Sequence, residues 1–146
     1  LLVNLPNSTF YLPKRLTDPG DAQQERVRVF QESFRQALQS AFIEHESLVC
    51  IMASGIVVRE IAPLLKNKHS DPAVVVLDAE GRFAVSLLSG HEGGANALAL
   101  QIAAITGGQK MFAVGLVQKK DLTHVNPMES KPGCEHQSTA YLIRSS

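Results

Sequence analysis

The chain has 146 residues, 45 % of them hydrophobic, with 14 basic and 14 acidic side chains and no formal net charge. That suffices for one domain with its own core, and the balance excludes both the basic excess of a nucleic-acid-binding surface and the polybasic run of a membrane-surface protein. Apolar runs are strand-sized, too short to span a bilayer, and two cysteines, Cys50 in an apolar run and Cys134 in a polar one, form no disulfide framework and suit a reducing cytoplasm.

Leu1-Leu2-Val3-Asn4 has neither the charged start nor the apolar core of a secretory signal, and a first residue other than Met points to a piece of a longer protein. Thr9 to Leu12 reads as a short strand ended by Pro13, and Thr17 to Asp21 as a turn. Asp21 with Gln24 three positions later suits a helix cap, with Asp18 before Pro19 as the rival start. Val27, Phe30, Phe34, Ala37, Leu38, Ala41 and Phe42 then recur at helical spacing, predicting an amphipathic helix whose charges face solvent.

Ser47 to Ala53 is an apolar run without alternation, as in a strand buried on both faces. It breaks at Ser54-Gly55, where a second helical pattern begins, and Pro63 should kink or restart that helix. Lys66 to Pro72 is a polar loop holding Lys68, His69 and Asp71. Ala73 to Leu77 and Arg82 to Leu88, joined through Asp78-Ala79-Glu80-Gly81, read as a β-hairpin. A helix over Gly94 to Thr106 stops at Gly107-Gly108. Met111 to Val117 is read as a last core strand, and 118–146 as an irregular tail with one strand at Ala140 to Ile143. The expected fold is therefore α/β, a three-layer open mixed, mostly parallel sheet with helices on both faces, Rossmann- or flavodoxin-like, with the domain at residues 1–117.

Ser89-Gly90-His91-Glu92-Gly93-Gly94 links the hairpin to that helix. Glycines allow close approach to the main chain, and the unpaired N–H groups of a helix start attract carboxylates or phosphates. The loop lacks both the GxGxxG spacing and the lysine of a nucleotide-binding loop, and no GxSxG elbow supports a serine hydrolase. The five histidines, at 45, 69, 91, 124 and 136, show no metal-ligand spacing. Taken from pattern alone, His91 is either a titrating acid–base group or a solvated loop histidine. Arg59 is either an anion ligand or a surface residue paired with Glu60 or water.

Three stretches then carry a resemblance. Ala53-Ser54-Gly55-Ile56-Val57-Val58-Arg59-Glu60-Ile61-Ala62-Pro63-Leu64-Leu65 resembles one signature of the CbiG family of cobalamin biosynthesis. Lys68 to Val74 (KHSDPAV) and Ser86 to Asn96 (SLLSGHEGGAN) resemble the next two, in the same order. The likeness is to the N-terminal domain of that family and covers roughly residues 8–108. It implies hydrolysis of cobalt-precorrin-5A, in which a δ-lactone on the macrocycle is opened and acetaldehyde released, with cobalt present only as part of the substrate and no resident cofactor or metal.

On that resemblance, His91 is expected to activate water, and Ser54, Asn96 or main-chain N–H groups to hold the oxyanion. Arg59 and Lys68 are expected to clamp substrate carboxylates, with Gly55, Ser89, Gly90, Gly93 and Gly94 lining the anion-binding turns. Both Gly-containing junctions share one edge only if their strands are parallel neighbours. The chain departs from the family before Thr9, where a first strand and helix are expected, and after Gly107, where a Thr-rich, Asp-containing motif is expected. The family's middle and C-terminal domains are the expected partners, and the oligomeric state is left open, a homodimer included. The alternatives are a noncatalytic corrinoid- or anion-binding module and a plain α/β scaffold.

Overall fold

A computed structural model describes residues 7–20, 24–31, 33–112 and 139–143. Among these residues seven strands form one sheet: β1 (Ser8–Pro13), β2 (Val27–Phe30), β3 (Ser47–Ile51), β4 (Ala73–Leu77), β5 (Phe83–Leu88), β6 (Gln109–Phe112) and β7 (Thr139–Ile143). Their spatial order is β2-β1-β7-β3-β4-β5-β6. The first five in that order run parallel, β5 is antiparallel to β4, and β6 is parallel to β5. The sheet is thus two parallel blocks of opposite direction, joined by the β4–β5 hairpin.

Among the described residues three α-helices cover it: α1 (Phe34–Glu44), α2 (Ser54–Ile61) and α3 (Ala95–Thr106). Ala37, Leu38, Ala41 and Phe42 of α1 and Val57 and Ile61 of α2 pack with Leu48, Cys50, Val74 and Val76 on one face. Leu98, Ala99 and Ile102 of α3 pack with Val49, Val75, Leu77 and Ala84 on the other. Odd and even residues of β3 and β4 therefore serve opposite cores, which is why these strands read as unbroken apolar runs. Helices on both faces of a mixed, mostly parallel sheet are what the pattern predicts. Among the described residues no helix is long and apolar enough to cross a membrane.

Pro63 acts as expected: α2 gives way to a 3₁₀ turn at Ala62–Leu64. Three expectations need correction. The helix foreseen from Asp21 begins only at Phe34, after Ser33, whose hydroxyl accepts the Gln36 N–H at 3.4 Å. Val27-Arg28-Val29-Phe30 is instead a strand paired to β1, from Phe10 opposite Val27 to Pro13 opposite Phe30. Val27, Phe30 and Phe34 suit a helical period while Val27 and Val29 alternate about Arg28 as in a strand, and β-branched residues beside an open strand settle for pairing. Arg28, accordingly, does not sit on a solvated helix face; it donates to the Tyr11 hydroxyl at 2.9 Å and meets Glu44 at 2.6 Å. The Tyr11 hydroxyl in turn lies 3.1 Å from His45 Nε2. Burial, with Arg28 nearby, lowers the His45 pKa.

The second correction concerns the strand following Gly107, which runs from Gln109 to Phe112; positions 113–117 lie outside the described residues. The third is the place of β7. The sequence ends the domain at 117, yet β7 lies between β1 and β3, in the interior of the sheet, with Thr139 to Leu142 buried. Ala140 and Leu142 join the α1–α2 core and Tyr141 joins the α3 core. The Ser47 and Thr139 hydroxyls, 2.8 Å apart, satisfy each other at its start.

Two buried groups tie this core to alkaline pH. Burial pushes the Cys50 thiol and the Tyr141 phenol each up to about 12. Above the ordinary values of these groups the unfolded chain loses protons that the native chain keeps, so stability falls as pH rises from about 9 towards 12. Denaturant midpoints measured across that window are expected to drop, and at neutral pH a thiol reagent should label Cys50 only as fast as the core opens.

Candidate functional site

β3 and β5 point in opposite directions, so the condition for a shared edge is not met. Ile51, at the end of β3, pairs with Leu77 at the end of β4, whereas Leu88, at the end of β5, pairs with Val74 near the start of β4. At about 3.3 Å per residue, the length of β4 separates the two junctions by roughly 15 Å. Ser54 and Gly55 are exposed at the carboxyl edge of the larger block, and α2 starts there without a side-chain cap. Ser89 to Asn96 lie at the opposite edge, the carboxyl edge of the smaller block. One anion cannot bridge both, and Ser54 is out of reach of an oxyanion beside His91.

Arg59 is exposed in the last turn of α2. Its neighbour Glu60 pairs with Arg35 at 2.7 Å, which removes the simple Arg59–Glu60 pair. A methyl group at Gly55 would meet nothing within 4 Å. Gly55→Ala is therefore expected to leave the fold intact and to raise stability by about 0.5–1 kcal/mol through helix propensity. Circular dichroism with urea melts checks this.

The opposite edge is where two of the sequence motifs meet. Lys68 and His69 on the loop after α2 face Glu92 on the loop after β5. His69 Nδ1 lies 2.5 Å from Glu92 Oε2, and Lys68 Nζ lies 3.9 Å from Glu92 Oε1. The Ser89 hydroxyl donates to the Asp71 carbonyl at 3.0 Å, fastening one loop to the other.

Each loop is also braced within itself. The Asn67 side-chain oxygen accepts the His69 and Ser70 N–H groups at 2.9 and 3.0 Å. Both Asp71 carboxylate oxygens accept the Lys66 N–H, at 3.0 and 3.1 Å. Asp71 thus shapes the loop.

The Ser89–Gly94 loop folds tightly. Ser89 has φ 56° and Gly94, the N-cap of α3, has φ 84°. The Ser89 and Gly90 carbonyls accept the Ala95 and Asn96 N–H groups at 3.2 and 3.0 Å. Two of the N–H groups that open α3 are therefore used by the loop itself. Gly90 lies against the Asn96 side chain, and a Cβ on Gly93 would sit 2.4 Å from Ser89 Cβ. These glycines first of all let the loop close.

His91 is exposed at the tip and makes no hydrogen bond or ion pair among the described residues. The residues that sequence reasoning did not assign are His69 and Glu92; the only signal was their place inside two joined motifs. Among the described residues, no group of three or more His, Cys, Asp or Glu is arranged to hold a metal ion.

Fold and site together define a doubly wound α/β domain that presents a histidine–carboxylate pair from two braced loops at one sheet edge. Residues 36–114 match the family described as Cobalamin synthesis G N-terminal, and the chain belongs to that family. It is 44 % identical over 98 residues to a cobalt-precorrin-5A hydrolase of Priestia megaterium, covering 67 % of this chain and 26 % of that protein. It is 42 % identical over 101 residues to a cobalt-precorrin-5A hydrolase of Salmonella typhimurium strain LT2, covering 69 % and 27 %. The chain thus spans about a quarter of the length of these relatives.

A crystal structure of a cobalamin biosynthesis protein G homolog from Sulfolobus solfataricus shares the fold. Its TM-score is 0.53 at 18 % identity, over 73 % of this chain and 36 % of that one. The resemblance read from the motifs at 53–65, 68–74 and 86–96 is borne out, and all three lie inside the matched stretch.

Proposed function

We propose that this chain is the N-terminal part of a cobalt-precorrin-5A hydrolase of cobalamin synthesis, working in the cytoplasm with the middle and C-terminal portions that its longer relatives possess. Cobalt enters only within the substrate. The observation that carries this reading is the meeting of two family motifs, through His69, Glu92, Asp71 and Ser89, at one edge of the sheet.

Opening a lactone requires three things of a protein: anchorage for the substrate's carboxylates, a base for the attacking water, and donors for the oxyanion. Lys68 stands at the edge as a cation for the first, with Arg59 on the helix leading into the same loop. Asn96 and main-chain N–H groups of the Ser89–Gly94 loop serve the third. His69 and His91 are the imidazoles available for the second. Ser54 and Gly55, at the far edge, take no part in this step.

The test is to follow the visible absorption of a cobalt corrinoid with free carboxylates as the chain is added, then to assay acetaldehyde release from cobalt-precorrin-5A with the remaining portions supplied. Saturable binding that weakens in Lys68→Ala, followed by turnover, supports the reading. Binding without turnover would leave the domain a holding role, and absence of both would return it to a scaffold.

A further inference from the structure

We propose that His69, rather than His91, is the catalytic base of the lactone-opening step, and that Glu92 is its positioning residue. The proposal rests on the hydrolase reading above. An imidazole acts as a base only when one ring nitrogen is held unprotonated towards the substrate, and the hydrogen bond made by the other nitrogen decides which one that is. Glu92 Oε2 faces His69 Nδ1. The carboxylate can only accept, so in the neutral ring Nδ1 carries the proton and Nε2 keeps its lone pair. Nε2 has no partner among the described residues, and the side chain is 66 % exposed, open to a ligand too large to enter a small cavity.

Surface ion pairs are usually loose, but both carriers of this one are fixed. His69 sits in a turn whose N–H is held by the Asn67 side chain, between the Lys66 and Asp71 ends of a loop closed by the Asp71 carboxylate. Glu92 sits in a loop fastened at Ser89 to the Asp71 carbonyl and closed onto α3 by Ala95 and Asn96. Gly93 lies close against Ser89 and Gly90 against Asn96, so the loop that carries residue 92 is tightly closed. Lys68, with its Nζ 3.9 Å from Glu92 Oε1, approaches the same carboxylate from its other oxygen. His91 has no comparable orienting partner among the described residues, so neither its ring direction nor its tautomer is set.

The step balances without any other reagent than water. The water oxygen bonds to the lactone acyl carbon while its proton moves to His69 Nε2; the carbonyl pair becomes the oxyanion. When that pair returns, the acyl C–O bond breaks, and the departing ring oxygen takes the proton from Nε2. The products are a carboxylic acid, which ionises, and a hydroxyl group, and His69 is restored with Nδ1–H still on Glu92.

Two readouts test this, both on the chain supplied with the remaining portions of the hydrolase. In turnover of cobalt-precorrin-5A, His69→Ala should lose about 100-fold or more in kcat with KM little changed, as expected of general-base removal; His91→Ala should lose far less kcat than His69→Ala. Independently of turnover, nitrogen NMR of the imidazoles should find neutral His69 protonated at Nδ1, a preference that Glu92→Gln should weaken. Equal turnover in His69→Ala and wild type overturns the proposal and leaves the hydrolase reading standing. Protonation of His69 at Nε2 overturns it on geometry alone. No turnover by wild type overturns the hydrolase reading, and the catalytic role of His69 with it.

Discussion

Tyr141→Ala is expected to destabilise the chain by about 3–5 kcal/mol, the range for deleting a buried aromatic side chain. Tyr141 is 2 % exposed and its ring stacks on Phe10 of β1, with centroids 5.0 Å apart. Its hydroxyl is bonded to the buried Ser8 side chain, so truncation strands a polar group as well as opening a cavity. It is also the one large side chain that β7 sends into the α3 core, beside Val49 of β3. Losing it weakens both lateral pairings of β7 at once. Urea melts would show the midpoint fall; an unchanged midpoint would mean that residues 139–143 do not hold the centre of the sheet.

Gly93→Ala is expected to cost about 2–3 kcal/mol, as overpacking of a tight site does. The new methyl would lie 2.4 Å from Ser89 Cβ and 2.8 Å from the Ser89 carbonyl oxygen, which already accepts the Ala95 N–H. Ser89 cannot retreat cheaply, because its left-handed backbone and its hydroxyl bond to Asp71 fix it from both sides. Relief therefore requires the loop to open, which would draw Glu92 away from His69. The same variant should thus lower the denaturant midpoint and lose the Nδ1 preference of His69. A full loss of ligand binding with an unaltered midpoint would instead make Gly93 a direct contact with the anion.

Much of the scaffold was legible because its signals are local. The runs Ser47–Ile51 and Ala73–Leu77 have the unbroken apolar character of strands covered on both faces, and the Gly-capped helix over 95–106 has its limits written in Gly94 and Gly107. What was not legible is set by contacts distant in sequence. Val27–Phe30 carries a pattern that suits helix or strand, and only the free side of β1 decides between them. The run Thr139–Ile143 is apolar enough to be a strand, yet nothing local says that it enters between β1 and β3.

The site divides in the same way. The loop at 89–94 was found from its glycines and histidine, but the edge it occupies depends on the hairpin reversing the direction of β5. Once reversed, the loop leaves Ser54 and Gly55 behind and meets Lys68 and His69. The partner of His69 is 23 positions away, so no spacing rule within one element could have named it.

The central claim is that the site lies at the edge formed by the 66–72 and 89–96 loops. Mapping amide shifts in the chain as a cobalt corrinoid with free carboxylates is added tests it most directly. The account predicts shifts concentrated at Lys68, His69 and Ser89 to Asn96, with Ser54 and Gly55 unmoved. Shifts confined to Ser54 and Gly55, or their absence throughout, would contradict it.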